Sequence, residues 1–334
     1  MKIKTAGFLC LGILIFLVFA GCGESPVEDD TNGGDTVSTF TVFRTENGLA
    51  DNSVTDIAVD YMFNGVWFAT RSGISFYSKA DSTFFTYGTE YLGIPDMKVT
   101  SINVDYSGTV WAGTETGAGY LPQDDSLWVA LPQLDSRHVT DVIMKMSDFS
   151  VWFGTRSGLI VKSSQDVWTT HFQFGPSNDV TSLEIDSAGN MWIGTANGIS
   201  VFDAFNNSWT SYGLPELPST YVNVIYKDIF GNMWCGTSSI AVSYDGNSWV
   251  KYGSADGLTS YGINDFSEDN FGILWIATDG GVFFFMGNKW NSFDLPDEIA
   301  GEAVKVIEVD KRTGDLWIGT TNGAVRYIAS TEGL

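Results

Sequence analysis

One short pattern, Trp-x-Gly/Ala-Thr, recurs seven times along this chain: Trp67 to Thr70, Trp111 to Thr114, Trp152 to Thr155, Trp192 to Thr195, Trp234 to Thr237, Trp275 to Thr278 and Trp317 to Thr320. Successive tryptophans lie 44, 41, 40, 42, 41 and 42 residues apart. A near-constant period of this size marks one supersecondary unit repeated, and so small a unit buries its apolar faces only against its neighbours. The repeat therefore overrides the two domains that 334 residues would otherwise suggest.

The fourth copy shows the unit most plainly. Val180 to Asp186 alternates apolar and polar residues, as a half-buried strand does. Asp186-Ser-Ala-Gly189-Asn has the chemistry of a tight hairpin turn. Met191 to Thr195, Ile199 to Asp203 and Ser208 to Tyr212 follow as three further strands. Four short antiparallel strands per repeat predict an all-β, seven-bladed β-propeller. The last copy stops after three strands (303–310, 316–320 and 323–328), while the chain begins its repeats with a lone strand at Thr39 to Arg44. This N-terminal strand is expected to complete the seventh blade and close the ring, which removes exposed edges.

The longer pattern Asp-x-x-Gly-x-x-Trp-x-Gly-Thr fits Asp105 to Thr114, Asp186 to Thr195, Asp228 to Thr237 and, with Ala for the second Gly, Asp269 to Thr278. Asp60 to Thr70 and Asp310 to Thr320 carry one extra residue, and in the third copy Lys145 takes the place of the Asp. With the upstream loops Asn47-Gly48-Leu49 and Asp256-Gly257-Leu258, residues 40–328 resemble the two-component regulator propeller repeat. That resemblance implies an extracytoplasmic, sensor-like or ligand-binding role, with glycans among the expected ligands. No kinase or regulator segment is evident, so a direct signalling enzyme is not expected. The period is also similar to that of streptogramin lyases, which use a mouth histidine with an acid and magnesium. The Trp-Gly-Thr element is loosely shared with quinone-dependent dehydrogenases, whose usual eight blades are not matched.

Residues 1–21 have the form of a secretory leader: Lys2 and Lys4, an apolar run from Phe8 to Phe19, then Ala20-Gly21. Cys22 directly afterwards resembles the bacterial lipoprotein signal, which implies lipidation of Cys22 and a membrane partner through the acyl chains. Residues 22–37 read as a flexible acidic tether and 38–334 as the propeller. The expected location is the bacterial cell envelope, at the outer membrane or cell surface. Formal net charge is −23, which argues against nucleic acid and anionic lipid as partners. Only Cys10, Cys22 and Cys235 are present, so the folded part has no pair for a disulfide.

The repeated Trp, Thr, Gly and Asp residues are scaffold. Information lies in departures from the repeat at two columns expected to ring the channel mouth. The residue after each motif Thr is Arg71, Glu115, Arg156, Ala196, Ser238, Asp279 and Thr321. The residue opening each first strand is Ser53, Lys98, His138, Asp179, Tyr221, Gly262 and Ala303. Copies one to three supply Arg71, Lys98, His138 and Arg156, a basic cluster in a chain with 17 Lys and Arg in all. Tyr91, Tyr221 and Tyr261 lie in adjoining loops. Arg with Tyr suits an acidic sugar or a peptide carboxylate, through bidentate bonding and stacking. The candidate ligand-binding set is therefore Arg71, Lys98, His138, Arg156, Tyr221 and Tyr261, with Glu115 and Asp279 beside them. No catalytic set, cofactor or metal is expected: one carboxylate per turn is too few for a calcium cage, and no Ser-His-Asp set or metal-spaced cluster occurs. An envelope protein held on another face of the propeller is the alternative role. A lyase would have His138 and Glu115 or Asp279 to work with.

Overall fold

The computed structural model describes residues 39–87, 93–123, 126–217, 219–259 and 262–329. The leader, Cys22, the tether, Tyr91 and Tyr261 lie outside the described residues. Seven four-stranded antiparallel sheets form the blades of a β-propeller. In blades one to six the strands run in chain order from the channel outward, and the innermost strands of the seven blades are Val54–Asp60, Val99–Val104, Val139–Lys145, Val180–Ile185, Val222–Lys227, Ile263–Glu268 and Val304–Val309. In blade four the remaining strands are Met191–Thr195, Gly198–Asp203 and Ser208–Tyr212.

Blade seven departs from chain order as expected. Thr39–Phe43 is its outer strand and pairs antiparallel with Gly323–Ile328, Phe43 opposite Ala324 and Thr39 opposite Ile328. Phe43 is buried among Tyr77, Phe84 and Trp317, with ring centroids 5.1, 5.4 and 6.1 Å away. Behind it, buried Lys79 of blade one forms an ion pair with Asp310 of blade seven.

Each letter of the repeated motif has a physical task. The Trp is buried in the inter-blade core in six blades and half-buried, as Trp275, in blade six. In blades one, two, four and five its Nε1 donates to the motif Asp (Asp60, Asp105, Asp186 and Asp228) at 2.9–3.0 Å, satisfying an indole that burial would otherwise orphan. Blade three, which has Lys145 in that column, satisfies Trp152 with Ser150 Oγ at 2.8 Å instead. All seven motif threonines donate Oγ1 to the carbonyl three residues on and accept the N–H two residues on, closing the turn from second to third strand. The motif Gly makes room for the next blade. A Cβ on Gly113, Gly154 or Gly319 would lie 2.6–2.7 Å from Cγ1 of Val139, Val180 or Val54, so the opening Val of each following first strand presses on bare backbone. Cys235 is buried in the second strand of blade five, and burial pushes its thiol up.

Two outcomes follow. Deleting Thr39 to Arg44 removes Phe43 and a whole strand, a loss of at least about 3 kcal/mol, and is expected to lower the melting temperature by roughly 5 °C or more. Scanning calorimetry showing an unchanged transition would refute the closure. Asp186→Ala leaves a buried indole N–H unpaired and is expected to cost about 1–3 kcal/mol in urea unfolding, with the loss absent if the bond carries no weight.

Candidate functional site

Two structural layers build the mouth. The first is the pair of columns read from the sequence. Arg71 N–H donates to Ser53 C=O, Glu115 to Lys98, Arg156 to His138, Ala196 to Asp179, Asp279 to Gly262 and Thr321 to Ala303, at 2.9–3.3 Å. Residues of the two columns are thus hydrogen-bonded neighbours on one rim. The second layer is a β-bulge in every first strand, where the second residue drops out of register: Thr55, Thr100, Thr140, Thr181, Asn223, Asn264 and Lys305. A bulge re-aims a side chain, and here all seven turn to the channel mouth and line one depression. Thr55, Thr100 and Thr181 donate to the carbonyls of Val99, Val139 and Val222 in the next blade, and Asn223 and Asn264 to those of Ile263 and Val304. Thr140 Oγ1 is buried without a partner.

The depression has a volume of about 380 Å³. Of the residues singled out from the sequence, it brings together Arg71, His138 and Tyr221. Lys98, Glu115, Arg156 and Asp279 stand on the rim outside it. Lys98 Nζ pairs with Glu115 at 3.0 Å. Asp279 accepts Lys305 Nζ at 2.7 Å and Asn264 Nδ2 at 3.0 Å, which hold its carboxyl below the usual range against the effect of burial. Burial, then the positive charge of Arg156, pushes the His138 imidazole below its ordinary value. Its ring is therefore neutral at pH 7, with one nitrogen to donate and one to accept. His171 is remote from the mouth, stacked on Trp152 with centroids 6.4 Å apart.

Sequence reasoning missed Lys305 and the bulge ring. The available signal was the Val-Thr dipeptide opening four first strands, at Val54, Val99, Val139 and Val180. It reads as ordinary strand alternation until the bulge is seen.

Below the mouth, the first strands carry half-buried carboxylates. Asp56, Asp141 and Asp265 each accept a backbone N–H of the next blade, from Ile102, Leu183 and Ile307. Glu184 and Glu308 lie further along. Each keeps some surface open to the narrow channel, but protein encloses it. Burial therefore raises Asp56, Glu184 and Glu308 to about 7, Asp141 to about 6 and Asp265 well above the carboxylate range. Among the described residues no three His, Cys, Asp or Glu side chains converge as a metal cage, and no helix is long and apolar enough to cross a membrane.

These features define a seven-bladed propeller with a polar, basic-rimmed mouth. Within the chain, residues 175–197 and 216–239 match the two component regulator propeller family. Its fold is shared with the extracellular domain of BT3049 from B. thetaiotaomicron, described as a hybrid two component system, at TM-score 0.75 and 20% identity over 87% of this chain. The chain spans 41% of the length of that extracellular domain. Virginiamycin B lyase of Staphylococcus aureus superposes with TM-score 0.71 at 13% identity, over 88% of this chain and all of the lyase. PorZ, a surface component of the type-IX secretion system of Porphyromonas gingivalis, gives 0.67 at 12% identity, over 84% of this chain and 47% of PorZ. No curated protein sequence matches the chain significantly.

A carboxylate raised by burial binds its proton more tightly in the folded than in the unfolded chain. Its contribution is complete below the unfolded value and is lost as pH rises through the folded one. The melting temperature is therefore expected to rise as pH falls from 8 to 5, with the two lowered histidines opposing more weakly. Glu308→Gln is expected to melt above the parent at pH 8, with the gap closing by pH 5. A gap constant in pH would show that Glu308 is not protonated across this window.

Proposed function

We propose that this chain is an extracytoplasmic, sensor-like binding propeller, held at the bacterial envelope through lipidated Cys22, whose mouth takes a glycan or peptide bearing a carboxylate. The observation that carries this reading is the mouth depression. In a chain of net charge −23, its wall gathers Arg71, Lys305, His138 and Tyr221 over a ring of neutral Thr and Asn side chains. Arg71 offers a planar fork for a carboxylate, Tyr221 is exposed for stacking on a sugar ring, and the Thr and Asn ring supplies short polar contacts. A preformed concave site with a few converging polar groups is the ordinary form of a ligand pocket. The extracellular placement of the BT3049 domain supports the envelope location.

Binding rather than catalysis fits the partners of the mouth acids. Glu115 is engaged by Lys98, and Asp279 by Lys305 and Asn264. The two acids that a lyase reading would pair with His138 are thus already engaged by cations.

A glycan array of acidic and neutral sugars, followed by calorimetry on the best ligand, tests the site. Arg71→Ala with His138→Ala is expected to weaken binding at least tenfold, about 1.4 kcal/mol. Equal affinity of parent and double variant would remove the ligand from the mouth.

A further inference from the structure

The face opposite the mouth has a different chemistry. It is made by the turns from first to second and from third to fourth strands. Among the described residues 19 large apolar side chains are exposed, and 13 of them sit at these turns or the strand ends beside them, against three on the mouth side. So one-sided a distribution marks an interaction surface rather than scattered exposure. Five of the seven first turns carry apolar tips, including Met62 and Phe63, Tyr106, Phe149, Phe230 and Phe271. Phe230 and Phe271 are 75% and 74% exposed, so nothing in the described chain covers them.

The tips form arcs. Tyr106 and Phe149 of neighbouring blades have centroids 5.7 Å apart, Met62 reaches Gly108 of the next turn, and Phe230 reaches Gly272. Four backbone donors at these turns are satisfied from behind. Asp60 accepts the N–H of Met62 and of Phe63, Asp269 that of Phe271, and Glu268 that of Ile229. The tips can therefore leave water without orphaning these N–H groups, which is the condition that hydrocarbon imposes. The turn of blade seven is basic instead, with Lys311 and Arg312, the latter 4.9 Å above the Tyr61 ring. Between blades one and two an apolar cleft of about 300 Å³ opens at Phe63 and Gly108 and runs in to Trp67, Phe76 and Leu121.

We propose that this face rests on a lipid bilayer, its apolar turn tips inserted at the boundary between headgroups and acyl chains, with Lys311 and Arg312 at the phosphates. Three observations favour lipid over a protein partner. The tips protrude from five separate turns, and the cleft at Phe63 lies between blades one and two alone. The amides of Met62, Phe63, Ile229 and Phe271 are satisfied internally. The chain also enters the fold on this face, since Thr39 pairs with Ile328 at its edge, so an anchor preceding Thr39 and an inserted face hold the molecule in the same orientation. The net charge selects zwitterionic lipid, and acidic turn residues such as Asp81, Asp203 and Asp245 at the outer edge would oppose an anionic surface. The mouth then points away from the membrane.

The test uses the full chain with Cys22→Ser, so that flotation reports the face and not an acyl chain. This protein is expected to float with phosphatidylcholine–phosphatidylethanolamine vesicles. Adding Phe230→Asp and Phe271→Asp is expected to cut the floated fraction at least tenfold without moving the melting temperature. Equal flotation of the two proteins, or none of either, overturns the proposal. So does light scattering that shows a dimer split by the same two substitutions, which would assign the face to a second copy. Ligand binding dependent on Arg71 is measured separately, so either proposal can fail alone.

Discussion

A ring of blades holds together only if its last member meets its first. Each sheet here buries both faces against neighbours, so an open ring would expose one face of blade one and one of blade seven. The seam is closed by contacts of three kinds. Thr39–Phe43 supplies the outer strand of blade seven. Phe43 and Tyr77 pack on Trp317, the largest fully buried side chain. Lys79 and Asp310 form a buried ion pair across the seam, whose disruption by removing one partner would strand a buried charge at a cost of about 3–5 kcal/mol. Above them, Arg44 donates to the carbonyls of Asn322 and Glu298. Asp310, committed to Lys79, gives no bond to Trp317, whose Nε1 stays unpaired beneath the Arg326 guanidinium. The seam thus gives up the indole bond found in four other blades in favour of closure.

Much of this was legible in the sequence because repetition separates common from particular. Seven tryptophans at one period specify the blade, and an unmatched strand at each end specifies the closure. That the columns holding Arg71 and Ser53, and Arg156 and His138, share one rim also followed, since both flank repeated turns. What stayed hidden depended on contacts between blades or on local backbone irregularity. Thr55 and Asn264 look like ordinary strand residues, and only the bulge turns them to the mouth. Lys305 has no counterpart in the other copies at its column, so no repeat pattern announces it. Asp56 and Asp265 look like solvent-facing acids, yet each accepts an amide of the adjoining blade, a relation between residues more than 40 positions apart.

The two faces and the channel divide the chemistry of an acidic chain. Arg71, His138 and Lys305 meet at the mouth, raised carboxylates line the passage below it, and most exposed aromatics crowd the far side. Scaffold letters recur in every blade on both faces, so this polarity is written entirely in the non-repeated positions. The same turn Asp that satisfies an indole inside a blade also caps the amides of the tip outside it, as Asp60 does for Trp67, Met62 and Phe63.

The direction of the closing strand has a mechanical consequence. Thr39 lies at the end of the strand away from the mouth and Phe43 toward it. A pull between residue 39 and a partner held at the mouth therefore runs along the strand axis. Its five residue pairings with the neighbouring strand are loaded together in shear, rather than peeled one at a time from an end. The element on which ring closure depends is oriented to resist tension between the chain's point of entry and its binding face.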